Sequence, residues 1–449
     1  MADMDPGDPR IPAEAVAAAA GVSPERTSRG RVLAWGLWDW GSAAFNAVAT
    51  TFVFTVYLTG KAFGDETTTS TALSWALAAA GIVVLLTAPI IGQRTDVSAR
   101  RKLWLAINTG IVVLCLALMS LVRQDAAYLW FGLGLLAVGT IFYELAAVNY
   151  NAMLTQVSTP RSVGKVSGFG WGMGYIGGIV LLLIVYFGFI HPDVGLFGVT
   201  GADGMSVRVS MLIAALWFAI SAIPVLFAVP ENKPIGGGRD KVGFFASYRL
   251  LARDIARLWR ESRHTVYFLL SSAIFRDGLT GVFTFGGVLA AGTFGFSAGE
   301  VIVFAIAANI VAGIATISSG ALDDRFGAKP LIVVSLVGLI ISGLCVFFFH
   351  AGGQTVFWIF GLILCLFVGP AQSASRTFLA RLIPPGREGE VFGLYATTGR
   401  AAVFIAPLFF GIFVAIGGAQ YWGILGIVLV LLVGLLLLLP VKASQPQLR

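Results

Sequence analysis

Long apolar stretches alternate with short polar intervals along most of this chain. A helix rising 1.5 Å per residue needs about 20 residues to cross the hydrocarbon core of a bilayer. Runs of that size fall near 34–59, 71–92, 103–122, 127–152, 166–190, 208–229, 265–291, 298–321, 330–349, 355–379, 390–416 and 419–440. They predict an all-α membrane protein with twelve transmembrane helices. The longest interior polar interval, 230–264, divides them into six-helix sets at 34–229 and 265–440. It opens on Pro234-Ile-Gly-Gly-Gly238. Beyond that, Phe244, Tyr248, Leu251, Ile255 and Leu258 recur at helical spacing, with Arg249, Arg253, Arg257 and Arg260 on the other side. This pattern predicts a basic amphipathic helix lying on the inner membrane face. Residues 1–33, Ala- and Pro-rich, read as a disordered cytoplasmic tail, and 441–449 as a cytoplasmic C-terminal tail.

Composition agrees: 57% of residues are hydrophobic, 12% are charged, and the mean hydropathy is +0.87. The net charge of +7 does not point to nucleic acid, because 24 of the 30 Lys and Arg residues sit in alternate polar intervals and at the termini. Three sit in the intervening loops and three inside spans, so both termini are expected in the cytoplasm. Cys115, Cys345 and Cys365 fall within apolar runs and read as buried thiols, neither a disulfide framework nor a metal site. No cofactor site is expected.

One polar interval returns. Gly92-Gln-Arg-Thr-Asp96 continues to the basic Arg100-Arg101-Lys102, and Gly320-Ala-Leu-Asp-Asp324-Arg325-Phe-Gly327-Ala-Lys329 repeats it in degenerate form. Each has Gly closing an apolar run, Asp four residues on, and basic residues before the next run. Pro160 and Gly168 likewise correspond to Pro385 and Gly393, both offset by 225. The paired segments resemble the signature loops of the major facilitator superfamily. That resemblance implies two pseudo-symmetric six-helix bundles, with Gly92, Asp96, Arg100, Arg101, Gly320, Asp324 and Arg325 acting in cytoplasmic gate loops.

Further segments narrow the likeness. Trp35-Gly-Leu-Trp-Asp39-Trp-Gly-Ser-Ala-Ala-Phe45, Asn149-Tyr-Asn-Ala-Met-Leu154, Gln372-Ser-Ala-Ser-Arg376 and Glu390-Val-Phe-Gly-Leu-Tyr395 are similar to the branch that holds the autophagy-linked vacuolar amino-acid effluxers of fungi and many bacterial members. Where that branch tends to have Tyr-Asp-Trp-Ala in span 1, this chain has Trp-Asp-Trp-Gly. The resemblance implies efflux of amino acids or similar small solutes from a bacterial-type cell.

A charge at mid-bilayer costs at least about 2.5 kcal/mol on insertion scales, so ionisable residues inside spans are functional candidates. They are Asp39 in span 1, Glu144 in span 4, Arg276 and Asp277 in span 7, Arg376 in span 10 and Arg400 in span 11. Asn46, Asn149 and Gln372 are the uncharged polar candidates. In the fold implied above, spans 1, 4, 7 and 10 line a central cavity, and they carry five of these six charges. Glu144 reads as a proton or substrate group, and Asp39 as either that or a gate or packing residue. Arg276 and Asp277, about 100° apart around the helix, are expected to bond to different spans. Arg376 reads as a gate ion-pair residue, and Arg400 as a partner for one of the carboxylates. Gly170, Gly174 and Gly178 form a small-residue ridge for close helix approach. With no nucleophile–base pair and no phosphate-binding loop, the sequence points away from an enzyme and from direct ATP drive. It describes a monomeric secondary transporter with a small-molecule substrate, a proton or sodium as coupling ion, and membrane lipids around it. A cation exporter or uniporter of the same fold, or a membrane scaffold or enzyme, is the competing reading.

Overall fold

The computed structural model describes residues 28–98, 101–158, 163–229, 244–382 and 388–442. Twelve helices in it are long and apolar enough to cross a membrane. These are spans 1 (Arg29–Leu58), 2 (Glu66–Thr87), 3 (Arg101–Met119), 4 (Ala126–Ala152), 5 (Phe169–Ile190) and 6 (Ala202–Ala228), then spans 7 (Arg263–Gly292), 8 (Ala298–Thr316), 9 (Ala328–Phe348), 10 (His350–Leu379), 11 (Leu394–Gly417) and 12 (Gln420–Leu438). Span 1 begins ahead of the expected residue 34; residues 1–27 lie outside the described part.

The packing of one half recurs in the other. Span 3 packs on spans 4 and 6, span 2 on span 4, and span 1 on spans 5 and 6. The same pairs reappear six spans later as 9 on 10 and 12, 8 on 10, and 7 on 11 and 12. The halves meet where span 2 lies along span 11 and where the middle of span 1 crosses span 7. The glycine ridge of span 5 faces span 1: an added Cβ would meet the Trp35 ring at Gly170, Asp39 at Gly174 and Ala43 at Gly178. Gly177, outside the expected ridge, approaches closest, against the backbone of Trp40. Without a hydrophobic drive between helices in lipid, such van der Waals fit is a main source of association.

Three spans are not the continuous α-helices their apolar runs predict; span 5 ends in a π-helical segment, Tyr186–Ile190, and spans 1 and 11 depart further. Span 1 passes through a π-helical segment, Ala44–Phe52, before ending in Phe54–Leu58. There the hydroxyls of Thr50 and Thr51 both donate to the Asn46 carbonyl, at 2.8 and 2.7 Å. Span 11 breaks between the helices Glu388–Ala401 and Ile405–Gly417. Pro407 explains the break, since it has no N–H to offer the carbonyl four residues back and its ring crowds that carbonyl.

The repeated motif is also corrected. Gly92 does not end a helix, because one helix runs from Glu66 to Ser98 and another resumes at Arg101. In the second copy, too, the helix passes Gly320 and runs to Phe326. The turn is made by Gly327, whose φ of 89° suits a residue without Cβ, and span 9 starts at once. The expected loops are therefore largely helix. Arg101 donates to the Ala152 carbonyl at the end of span 4, 3.2 Å away, while Arg325 is exposed beside the Phe326 ring. Arg100 lies outside the described residues, as do the side chains of Asp96 and Asp324 and the surroundings of Gly92 and Gly320.

Between the halves the helix Phe244–Glu261 docks through the buried Leu258 and leaves Arg249, Arg253, Arg257 and Arg260 exposed.

Candidate functional site

The in-span charges converge where the halves meet. Arg400 sits in the last turn before the break in span 11, where the helix C-terminus favours a cation. From there it crosses to span 4 of the other half. Its Nη1 donates to the Glu144 carbonyl and lies 3.6 Å from Glu144 Oε2. The two side chains are 14% and 23% exposed, so the pair is sheltered without being sealed. This is the carboxylate partner that the sequence alone left open.

Asn46, on the π segment of span 1, is exposed and donates from Nδ2 to the Tyr143 hydroxyl at 2.6 Å. Tyr143 precedes Glu144, so spans 1, 4 and 11 present one polar wall. A π turn shifts the side chains that follow it relative to an α-helix, and such bulges gather at functional sites.

Asp39, about two turns earlier on span 1, is half-buried and accepts from the Ser42 hydroxyl at 3.3 Å. Tyr143, Tyr150, Tyr175 and Arg376 lie within its electrostatic reach. Arg376 crosses between halves as well, its guanidinium over the Trp171 ring of span 5 with 4.9 Å to the centroid. Among the described residues its expected ion pair is not formed, and the aromatic face takes that place. Gln372 lies half-buried one turn before it.

Arg276 and Asp277 diverge around span 7, as neighbours on a helix must, but both reach span 11. This corrects the expectation that they bond to different spans. Arg276 stacks on the Tyr395 ring at 4.1 Å and donates to the Tyr395 carbonyl at 3.3 Å. The Tyr395 hydroxyl in turn shares a 2.7 Å hydrogen bond with Ser375. Asp277 is 4% exposed, and its Oδ2 accepts the backbone N–H of Ala406. That N–H is one of the orphan donors at the restart of span 11, so a carboxylate from another helix caps the break. Asn149 is fully buried and donates to the Leu145 carbonyl within its own helix.

Two groups of residues were not anticipated. An aromatic stack joins spans 1 and 4, with Tyr150 between Trp35 (4.5 Å) and Trp38 (4.3 Å), and Tyr143 against Phe45 (5.3 Å). Its signal was present in the three-residue spacing of the tryptophans and the seven-residue spacing of the tyrosines, each placing two rings on one helix face. The second is a polar knot at the end away from the linker. Gln420 is 1% exposed and bridges Ser70 of span 2 and Thr293 at the end of span 7. Nothing local in the sequence marks a lone Gln at a span end.

Comparison with known proteins gives concordant findings. The family described as "Vacuole effluxer Atg22 like" matches residues 156–447. An uncharacterized MFS-type transporter of Bacillus subtilis, YxiO, is 24% identical over 414 residues, covering 90% of this chain and 93% of its own. Autophagy-related protein 22 of Yarrowia lipolytica is 24% identical over 307 residues, 62% of this chain; the chain spans 51% of that fungal relative. Among solved structures, a D-xylose-proton symporter superposes with a TM-score of 0.65 at 17% identity, covering 93% of this chain and 97% of its own. The xylose transporter XylE of E. coli, in an inward-open conformation, gives 0.63 at 15% identity, with 93% and 96% covered. At these identities the two structures establish the fold alone, that of the major facilitator superfamily.

Proposed function

Because the chain belongs to the Atg22-like vacuole effluxer family, and is thus an integral multi-pass membrane transporter of the major facilitator class, we propose that it exports a small solute, an amino acid or a similar compound, by ion-coupled alternating access. The observation that carries the reading is the bridge from Arg400 to Glu144 across the two halves, beside Asn46 and Tyr143. A group that holds the halves together in one state and titrates in another couples a proton to their rocking. Protonated Glu144 loses its charge attraction for Arg400, which then turns to substrate. Asp39 and Asp277 are the remaining carboxylates of the cavity region. Asp39 faces the solute path, and Asp277 serves span 11. The paired segments around Asp96 and Asp324 act as gates on the linker side.

On this reading the protein works as a monomer in the cell membrane, with both termini and the linker in the cytoplasm. The basic helix Phe244–Glu261 rests on the inner leaflet there and joins the two six-helix units.

Reconstitution tests the coupling. In proteoliposomes, Glu144→Gln is expected to retain solute exchange while losing uphill accumulation and the pH dependence of flux. Proton-driven accumulation equal to wild type in this variant would reject Glu144 as the coupling group. A sodium gradient in place of the proton gradient distinguishes the two ions.

A further inference from the structure

The linker helix carries charge that its own surroundings do not answer. Arg249, Arg253, Arg257 and Arg260 share one face of Phe244–Glu261, and all four are exposed. Among the described residues none of them makes an ion pair or a hydrogen bond. Arg263, at the start of span 7, and Lys442, past the end of span 12, are exposed as well. The Lys442 N–H donates to His264 Nδ1 at 3.3 Å, which brings that chain end to the same patch. Aromatic groups give the patch a depth. Trp259 and Tyr267 are 39% and 38% exposed, yet their rings lie against each other with centroids 5.3 Å apart. Tyr267 stands about one turn into span 7, and Leu270, on the same side and deeper, is 50% exposed. Exposed aromatic rings at a span end, followed by an exposed leucine, mark the boundary between headgroups and hydrocarbon. Trp259 therefore holds the basic helix at headgroup depth, while the buried Leu258 fixes it to the bundle.

We infer that this face binds the phosphates of anionic phospholipids in the inner leaflet, and that such lipid favours the state in which the opposite end is closed. The side of the membrane and the cycle rest on the transport reading above; the lipid chemistry does not. A guanidinium donates two parallel N–H bonds to one phosphate, and unpaired arginines have that fork to give. An acidic soluble protein would answer the charge equally, but it would leave the exposed strip of Trp259, Tyr267 and Leu270 unexplained. The link to the cycle is the position of the helix. It packs both on the helix Glu66–Ser98 of the first half and on span 7 of the second. Lipid that binds the helix as it lies here favours this arrangement of the halves, with Gln420 bridged to Ser70 at the far end.

Soluble short-chain lipids isolate the headgroup. Phosphatidylglycerol and phosphatidylcholine of equal chain length are titrated into the purified full chain in neutral detergent and followed by its melting temperature. The first is expected to act at roughly ten-fold lower concentration, and the difference should vanish at about 1 M salt, where the Debye length is about 3 Å. Changing Arg249, Arg253, Arg257 and Arg260 together to Gln should abolish the preference. If that variant does not fold, Arg253→Gln with Arg257→Gln removes half the charge and should shrink the preference to roughly three-fold. Equal response to the two lipids, or a preference untouched by the substitutions, would overturn the assignment. So would an equal effect of glycerol phosphate or of polyglutamate, which would mean a free-phosphate or a protein site. The second readout is disulfide formation between Ser70→Cys and Gln420→Cys in a chain lacking Cys115, Cys345 and Cys365. Phosphatidylglycerol should speed it at least about two-fold over phosphatidylcholine, and not in the Gln variant. Lipid selectivity without that change would overturn the link to the cycle and leave an anchor. Labelling of Gly237→Cys by an impermeant reagent outside intact cells would remove the topology reading, and the inner leaflet with it, while lipid selectivity would stand.

Discussion

At the scale of single residues, Arg400 shows how little of a buried charge's role resides in its own neighbourhood. Its sequence context is Thr398-Gly399-Arg400-Ala401, which says that a cation enters the membrane and nothing about what receives it. The answer lies 256 positions away, in Glu144. Removing one member of a sheltered ion pair leaves the other desolvated without compensation. Arg400→Gln is therefore expected to lower the melting temperature more than Glu144→Gln does, since the second change keeps the backbone carbonyl that Arg400 also uses. The double variant should lose less than the sum, with a coupling of about 1–2 kcal/mol, within the range for residues in direct contact. Thermal unfolding of all four proteins in detergent measures it, and strictly additive losses would show that the pair does not act as a unit.

At the scale of elements, hydropathy placed the twelve spans but not their breaks. An apolar run reports that a segment prefers lipid; it does not report whether each N–H finds the carbonyl four residues back. In span 11 the clue was Pro407, legible as a bend, while the residues that make the turn, Ala402, Val403 and Phe404, are as apolar as any helix interior. In span 1 nothing between Ala44 and Phe52 is Gly or Pro, and the π segment is supported by two hydroxyls on one carbonyl, which ordinary helix periodicity hides. The cap on span 11 comes from span 7, so Asp277 could be recognised as a buried carboxylate but not as a cap. This role distinguishes substitutions. Asp277→Asn retains a side-chain oxygen for the Ala406 N–H and should cost little stability. Asp277→Ala leaves that donor orphaned and should cost about 1–2 kcal/mol, the upper part of the range for lost N-caps. Equal melting temperatures for the two variants would remove the cap as the reason for a carboxylate there. If Asp277 also carried the coupled proton, Asn would abolish uphill transport while preserving the fold.

At the scale of the whole molecule, the duplication was legible because both halves repeat Gly–x₃–Asp and Pro–x₇–Gly at matching places. How the halves meet was not, since those contacts join residues hundreds of positions apart and no local pattern encodes them. At the end away from the linker they are closed by hydrogen bonds. Gln420 Nε2 donates across the halves to Ser70 Oγ at 2.8 Å, and within the second half Thr293 Oγ1 donates to Gln420 Oε1 at 2.8 Å, holding the amide in place. Thr67 Oγ1 donates to the Gly418 carbonyl at 3.3 Å. Gly287 of span 7 leaves no room for a Cβ against the Thr51 carbonyl, so the halves also touch backbone to backbone beside the π segment. If solute leaves through this end, the contacts of Ser70 and Thr67 with the second half must part during a cycle, and a covalent link across them must stop turnover. In a background with Cys115, Cys345 and Cys365 replaced, the pair Ser70→Cys with Gln420→Cys is expected to crosslink under mild oxidation. Flux should then fall to the level of empty vesicles and return on reduction. Each single cysteine variant under the same oxidant controls for loss of the hydrogen bonds themselves, which should slow transport only in part, because neutral hydrogen bonds contribute about 1 kcal/mol each. Full flux through the crosslinked protein would mean that this end stays shut throughout the cycle, and the exit would have to be sought elsewhere.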